Sequence, residues 1–242
     1  MTEQQTNQNP TLNKMVEGLK RSVGERLESI ILYGSAARGD YEKKTSDFNL
    51  LLVLRDLEVS SLEALSPVLR RWLRQGQPVP RLFTRELIRD AADVFPIEFL
   101  DILAGRVVLH GDDPFADLEV HPTHLRLQCE RELREKIMRL REGYAESHDN
   151  SRNLKRLLTS SYTTFVALFR GCLHLLGGEV PVHNPEVVAA FCNRADIRRD
   201  PFEEVDRLKH GESVPNLKAT FGRYYAALSQ AVRVVDRFEN PK

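Results

Sequence analysis

The sequence predicts an α+β protein: a small mixed sheet flanked by helices in the N-terminal half, followed by an antiparallel helical bundle. Three observations carry that expectation. Up to Gly111-Asp112-Asp113-Pro114, apolar runs of strand length alternate with amphipathic segments of helical period, the pattern of a layered sheet-and-helix unit. The run Phe48–Leu54 is almost wholly apolar, the composition of a strand covered on both faces. Beyond Pro122 the helical period takes over and persists to the C-terminal end.

Taken in order, the first segment, Met1–Pro10, is polar and lacks an apolar stretch, so it reads as a disordered tail rather than a signal peptide. Leu12, Met15, Val16, Leu19, Val23 and Leu27 recur at helical spacing and lead into a strand over Ser29–Tyr33. A polar loop over Ala36–Thr45 separates it from the strand Phe48–Leu54. Ser60 or Ser61 can cap a helix over Leu62–Arg74, and Gly76 can stop it. Pro78 and Pro80 confine the next strand, Val79–Phe83, to a sheet edge or to its second half. Thr84 opens a short helix running to about Ala92, and two further apolar runs follow, Phe95–Ile102 and Arg106–His110.

In the second half, Leu125, Cys129, Leu133, Ile137, Leu140 and Tyr144 form one helical stripe, and Leu154 to Leu176 a second, ended by Gly177-Gly178. A shorter helix over Val187–Phe191 and a last one over Leu217–Val235 complete a bundle of three long helices and a short one. The expected division is a tail over 1–10, a sheet domain over 11–118 and a helical domain over 119–242.

Composition narrows the function classes. Of 242 residues, 41% are hydrophobic, enough for real cores, and 35 basic residues balance 35 acidic ones. Zero formal charge removes any global electrostatic case for nucleic acid. Cys129, Cys172 and Cys192 are far apart with no paired ligand spacing, which argues against disulfides and zinc. No apolar run has membrane-spanning length, so a cytoplasmic setting with no membrane partner is expected. On the charged segment Arg126–Glu142, Glu130, Glu132 and Glu135 each precede a base by four residues, which predicts a solvated face laced by ion pairs.

The chemistry-bearing stretch is Ile30–Leu54. A strand ends in Gly34-Ser35, a loop with Arg38, Lys43 and Lys44 follows, and Ser46-Asp47-Phe48-Asn49 opens the next strand. Glycine lets backbone N–H groups approach a phosphate closely, and a carboxylate at the next strand's start can hold a divalent cation against it. Strand alternation points Asp47 and residue 49 the same way.

This stretch resembles the signature of the nucleotidyltransferase superfamily, whose fold is that of the DNA polymerase beta-like enzymes: Gly-Ser, a short run to Gly, then Ser-Asp-x-Asp entering an apolar strand. The helical second half is similar to the bundles that accompany aminoglycoside and minimal nucleotidyltransferases. The resemblance implies a nucleoside triphosphate held through its β- and γ-phosphates by Gly34, Ser35 and Lys44, and Mg²⁺ held by Asp47 and residue 49. It also implies transfer of a nucleoside monophosphate to a hydroxyl of a small molecule or protein, and a homodimer.

Two departures are visible. The second Asp of the pair is Asn49, which brings no charge. The third carboxylate, expected on Val79–Phe83, is replaced by Pro80 or Arg81. Glu98 is a candidate substitute, because aminoglycoside adenylyltransferases carry a similar Pro-x-Glu-Val pattern on their third strand. The expectation is therefore a catalytic set of Asp47, Asn49 and Glu98, with the alternative of a pseudo-nucleotidyltransferase acting as a nucleotide-sensing or antitoxin-like protein-binding module. Arg170-Gly-Cys-Leu-His174 is too closely spaced for the Arg–His motif of helical ribonucleases that accompany this fold.

Overall fold

A computed structural model describes residues 9–38, 47–147, 150–181 and 183–238. Lys43, Lys44 and most of the N-terminal tail lie outside the described residues. The chain divides into two compact units, Met1–Val120 and His121–Lys242.

The first unit begins with helix α1, Pro10–Val23, capped by the Asn9 side chain accepting from the Thr11 and Leu12 N–H groups. Asn9 and Pro10 thus open a helix instead of closing a tail, because Asn is a favoured cap and Pro is preformed for the first helical position. A 3-10 turn, Gly24–Arg26, leads into strand β1, Leu27–Tyr33. A four-residue helix α2, Ser35–Arg38, follows the Gly34 turn, and β2 is Asn49–Leu54. Helix α3, Val59–Leu73, starts before the serines expected to cap it. Ser61 lies inside it and donates to Asp56 in the preceding loop. Strand β3 is Arg81–Phe83, α4 is Arg85–Asp90 with Thr84 as its cap, α5 is Pro96–Ala104 and β4 is Arg106–His110.

The sheet order is β3-β2-β1-β4, with β3 parallel to β2 and the other pairs antiparallel. The prolines before Arg81 thus sit outside a short edge strand, where a missing N–H is harmless. Ile30, Leu32, Leu50 and Leu52 face Leu12, Leu19, Leu65 and Trp72 of α1 and α3. Ile31, Leu51, Val53 and Phe83 face Ile88, Phe99 and Ile102 of α4 and α5, together with Phe115. Helices on both faces explain why β1 and β2 carry continuous apolar runs.

The run Phe95–Ile102 contains the start of a helix rather than a strand. Pro96, Phe99 and Ile102 are its buried positions, a spacing of three that fits helical period, and Pro96 fills a favoured first-turn position. An apolar run of this length does not by itself distinguish the two states.

The second unit is a helical bundle. Its helices are α6, Pro122–Ser147; α7, Ser151–Leu175; α8, Asn184–Ala195; α9, Asp200–Lys209; and α10, Leu217–Asp236. Helix α9 was not expected from the sequence. It matters because Phe202 on it enters the aromatic centre of the unit. Phe169 of α7 stacks on Phe191 of α8 at 4.0 Å and meets Phe202 edge-on at 5.4 Å. Phe202 meets Tyr224 of α10 edge-on at 5.4 Å. Such contacts add about 0.5–1.5 kcal/mol each beyond area burial.

The ion pairs that the sequence predicts along α6 form, although their glutamates are only partly exposed. Glu130 pairs with Arg134, Glu132 with Lys136 and Glu135 with Arg139. All three cysteines are buried and free. Burial pushes the Cys192 thiol up to about 12. A hydrogen bond with Cys129 and complete burial raise Cys172 well above the ordinary thiol value.

Candidate nucleotide site

The site begins where β1 ends. Gly34 has φ +78°, a region that side-chain-bearing residues enter at a cost of about 1–2 kcal/mol. A Cβ built on it would stand 3.2 Å from Nδ2 of Asn49, so the turn is closed over by the Asn49 amide. The dihedral favours glycine here, and the close approach of the Asn49 amide adds to that preference. The Ala37 N–H donates to the Gly34 carbonyl at 3.1 Å and starts α2.

The entry to β2 is held from the opposite face. Phe48 is buried and tilted against Trp72, with ring centroids 6.4 Å apart. Its N–H donates to Gln77 Oε1 at 2.9 Å, and Trp72 Nε1 donates to the Pro78 carbonyl at 2.8 Å. With Phe48 anchored inward, Asn49 at the start of β2 turns to the other face. Asn49 is half-buried there, and Asp47, which precedes the strand, is exposed. The structure thus brings together Gly34 and Asn49, with Asp47 two residues upstream.

Strand register identifies the neighbours. Tyr33 pairs with Asn49, Leu51 with Arg81, and Tyr33 also with Arg106 across β4. Paired residues share a face, so Tyr33, Asn49, Arg81 and Arg106 all project from one side of the sheet. Arg81 Nε donates to the Tyr33 hydroxyl at 3.1 Å. The guanidinium of Arg106 is engaged differently, donating to Asp113 Oδ2 through Nε at 2.9 Å and Nη2 at 2.7 Å, and to the Leu103 carbonyl at 3.1 Å. Partial burial works to raise the Asp113 pKa, but hydrogen bonds from Arg106 and the Phe115 N–H, with the Arg106 charge, hold it below the usual carboxylate value.

Tyr33 is the site residue that sequence reasoning missed. Its only signal was its place directly before Gly34, and its importance depends on register. Glu98 lies in the first turn of α5, not on a strand. The strand alternation that would have aimed it beside Asp47 does not apply. It sits four residues before the buried Ile102, at the margin of that helix's packed stripe, and is half-buried. Lys44 lies outside the described residues.

Among the described residues the donor set does not fit a two-metal centre. Two divalent ions about 3.5–4 Å apart need several carboxylates around them. Among the described residues no three His, Cys, Asp or Glu side chains gather in a metal-holding group. Asn49 is neutral, and a guanidinium stands on β3 where the resemblance asks for an acid. A single Mg²⁺ arriving on a nucleotide asks less, since one carboxylate and substrate phosphates suffice for it. Asp47, exposed just before β2, is a carboxylate of the kind such an ion takes.

A four-stranded mixed sheet with helices on both faces, followed by a helical bundle, is the arrangement of a nucleotidyltransferase fold with a helical C-terminal part. Among solved structures the chain is similar to the spectinomycin adenyltransferase AAD(9) from Enterococcus faecialis, whose crystal structure contains ATP and spectinomycin. The TM-score is 0.54 at 15% identity, covering 90% of this chain and 98% of that one. At that identity the likeness concerns the fold. No protein-family model and no curated protein matches the sequence. No helix among the described residues is long and apolar enough to cross a membrane.

Proposed function

We propose that this chain is a nucleotidyltransferase-like protein that binds a nucleoside triphosphate on its first domain, residues 11–118, with 119–242 as a helical accessory domain. The phosphates rest at the Gly34–Ser35 turn, and Asp47 meets the Mg²⁺ that accompanies them. The reaction the fold serves is transfer of a nucleoside monophosphate to a hydroxyl of a small molecule or protein. The observation that supports the reading is the Gly34 turn, whose dihedral favours glycine and which lies against Asn49 at the entry to β2. That the similar adenyltransferase holds ATP supports a nucleoside triphosphate as ligand. The setting proposed is cytoplasmic.

A second reading is favoured by Arg81. A chain that keeps the turn but carries Asn49 and a cation on β3 binds nucleotide without transferring it, and acts as a sensing or protein-binding module. Incubating the full chain with each labelled triphosphate and Mg²⁺ or Mn²⁺, with candidate hydroxyl acceptors and lysate proteins, separates the two. Label on an acceptor supports transfer; binding by calorimetry with no label on any acceptor supports the module. Absence of both overturns the nucleotide reading. Asn49→Asp adds a second carboxylate and is expected to tighten Mg²⁺ in the nucleotide complex roughly tenfold, because ligand charge sets affinity for hard cations. Unchanged metal affinity would count against this placement of the site.

A further inference from the structure

The acids missing from the sheet face have a counterpart in the cation that replaced one of them. We infer that Arg81 supplies positive charge of the kind a metal pair gives in such a site, so that a polyphosphate chain binds here without requiring a divalent cation. The inference rests on the phosphate reading of the Gly34 turn.

Four observations support it. Arg81 projects from the same sheet face as Asn49 and Tyr33, by strand register. Its Nε is fixed by the Tyr33 hydroxyl at 3.1 Å, and Tyr33 directly precedes Gly34, so the guanidinium is tied to the residue that enters the turn. A guanidinium carries five N–H donors in a planar fork, and this bond uses one of them on an exposed side chain. Of the two arginines that register places on this face, Arg106 is neutralised by Asp113, and Arg81 has no bonded carboxylate among the described residues.

The electrostatics run one way. A divalent ion beside a guanidinium is repelled, and with Asn49 neutral only the Asp47 carboxylate remains to offset that. A polyphosphate carries several negative charges and presents pairs of oxygens, which match the fork of an arginine bidentately. Because a guanidinium does not lose its proton in the accessible pH range, the charge is permanent. Anion recognition is therefore built into β3 and does not depend on metal.

The test is calorimetry on the full chain with ATP and with inorganic tripolyphosphate, each with Mg²⁺ and with excess EDTA. The expected result is that EDTA changes affinity by less than about threefold and that tripolyphosphate displaces ATP. Charged hydrogen bonds contribute about 1.5–3 kcal/mol, so Arg81→Gln is expected to lower metal-free affinity roughly ten- to hundredfold. Arg81→Lys keeps the charge without the fork and should recover part of the loss. Tyr33→Phe, which removes only the anchoring hydroxyl, should give a smaller loss than Arg81→Gln. Circular dichroism of each variant checks that the edge strand is intact. Binding that needs Mg²⁺ and disappears in EDTA would overturn the inference while leaving the phosphate site standing. The inference also fails if Arg81→Gln binds as tightly as the unaltered chain, or if tripolyphosphate does not compete. No binding with or without metal would overturn both this inference and the nucleotide reading.

Discussion

Replacing Gly111 by alanine is expected to destabilise the first unit by about 3–4 kcal/mol, at the upper end of ordinary point substitutions. Gly111 follows β4 directly and has φ +72°. A Cβ there would stand 1.8 Å from the Glu28 carbonyl oxygen and 2.9 Å from Ser29 Oγ. Both are parts of β1, and the backbone oxygen cannot rotate away. The chain after Gly111 would have to lift off the sheet, breaking the bond from Ser29 Oγ to the Asp112 carbonyl at 2.7 Å. Gly76 is the natural control. Its φ is +77°, but nothing lies within 4 Å of its would-be Cβ, so alanine there should cost only the dihedral penalty of about 1–2 kcal/mol. Trp72, the single tryptophan, is buried in the first unit. Urea denaturation followed by its fluorescence reports on that unit alone. Equal losses for Gly111→Ala and Gly76→Ala would contradict the steric argument.

The second large effect falls on binding. Gly34→Ala places a methyl group 3.2 Å from Asn49 Nδ2, tighter than a comfortable contact, in a dihedral region that disfavours it. Either the Asn49 side chain yields or the turn does, and both line the proposed phosphate position. The expected outcome is a loss of ATP affinity of tenfold or more. A tenfold change corresponds to about 1.4 kcal/mol, comparable to the strain the methyl group introduces. Thermal unfolding should fall by several degrees, because about 1–2 kcal/mol is a sizeable share of a domain's marginal stability, while the protein stays folded. Unaltered ATP affinity in a folded Gly34→Ala protein would place the phosphates elsewhere.

What the sequence disclosed and what it withheld follow a physical division. Gly34, Asp47 and the apolar strand after Asn49 were legible because they are local. A turn residue, a carboxylate and a buried strand each announce themselves over a few positions. Asn49 and Arg81 were legible as departures for the same reason. Tyr33 was not, because its meaning depends on the pairing of β1 with β2 and β4, and register is a long-range property. The helical state of Pro96–Ala104 was hidden by an apolar run that suits a strand equally well, and with it the position of Glu98. Helix α9 did carry a signal, with Pro201 in its first turn and Phe202, Val205 and Leu208 at threefold spacing. That stripe is short and set among charges, and its role emerges only in the packing of Phe202 between Phe169 and Tyr224.

The central claim is that nucleotide phosphates are held at the turn between β1 and α2. Hydrogen–deuterium exchange of the full chain, with and without saturating ATP, tests it most directly. The account predicts slowed exchange in peptides covering Tyr33–Ala37 and the start of β2 at Asn49. Unchanged exchange across those peptides, or protection confined to residues 121–238, would contradict it.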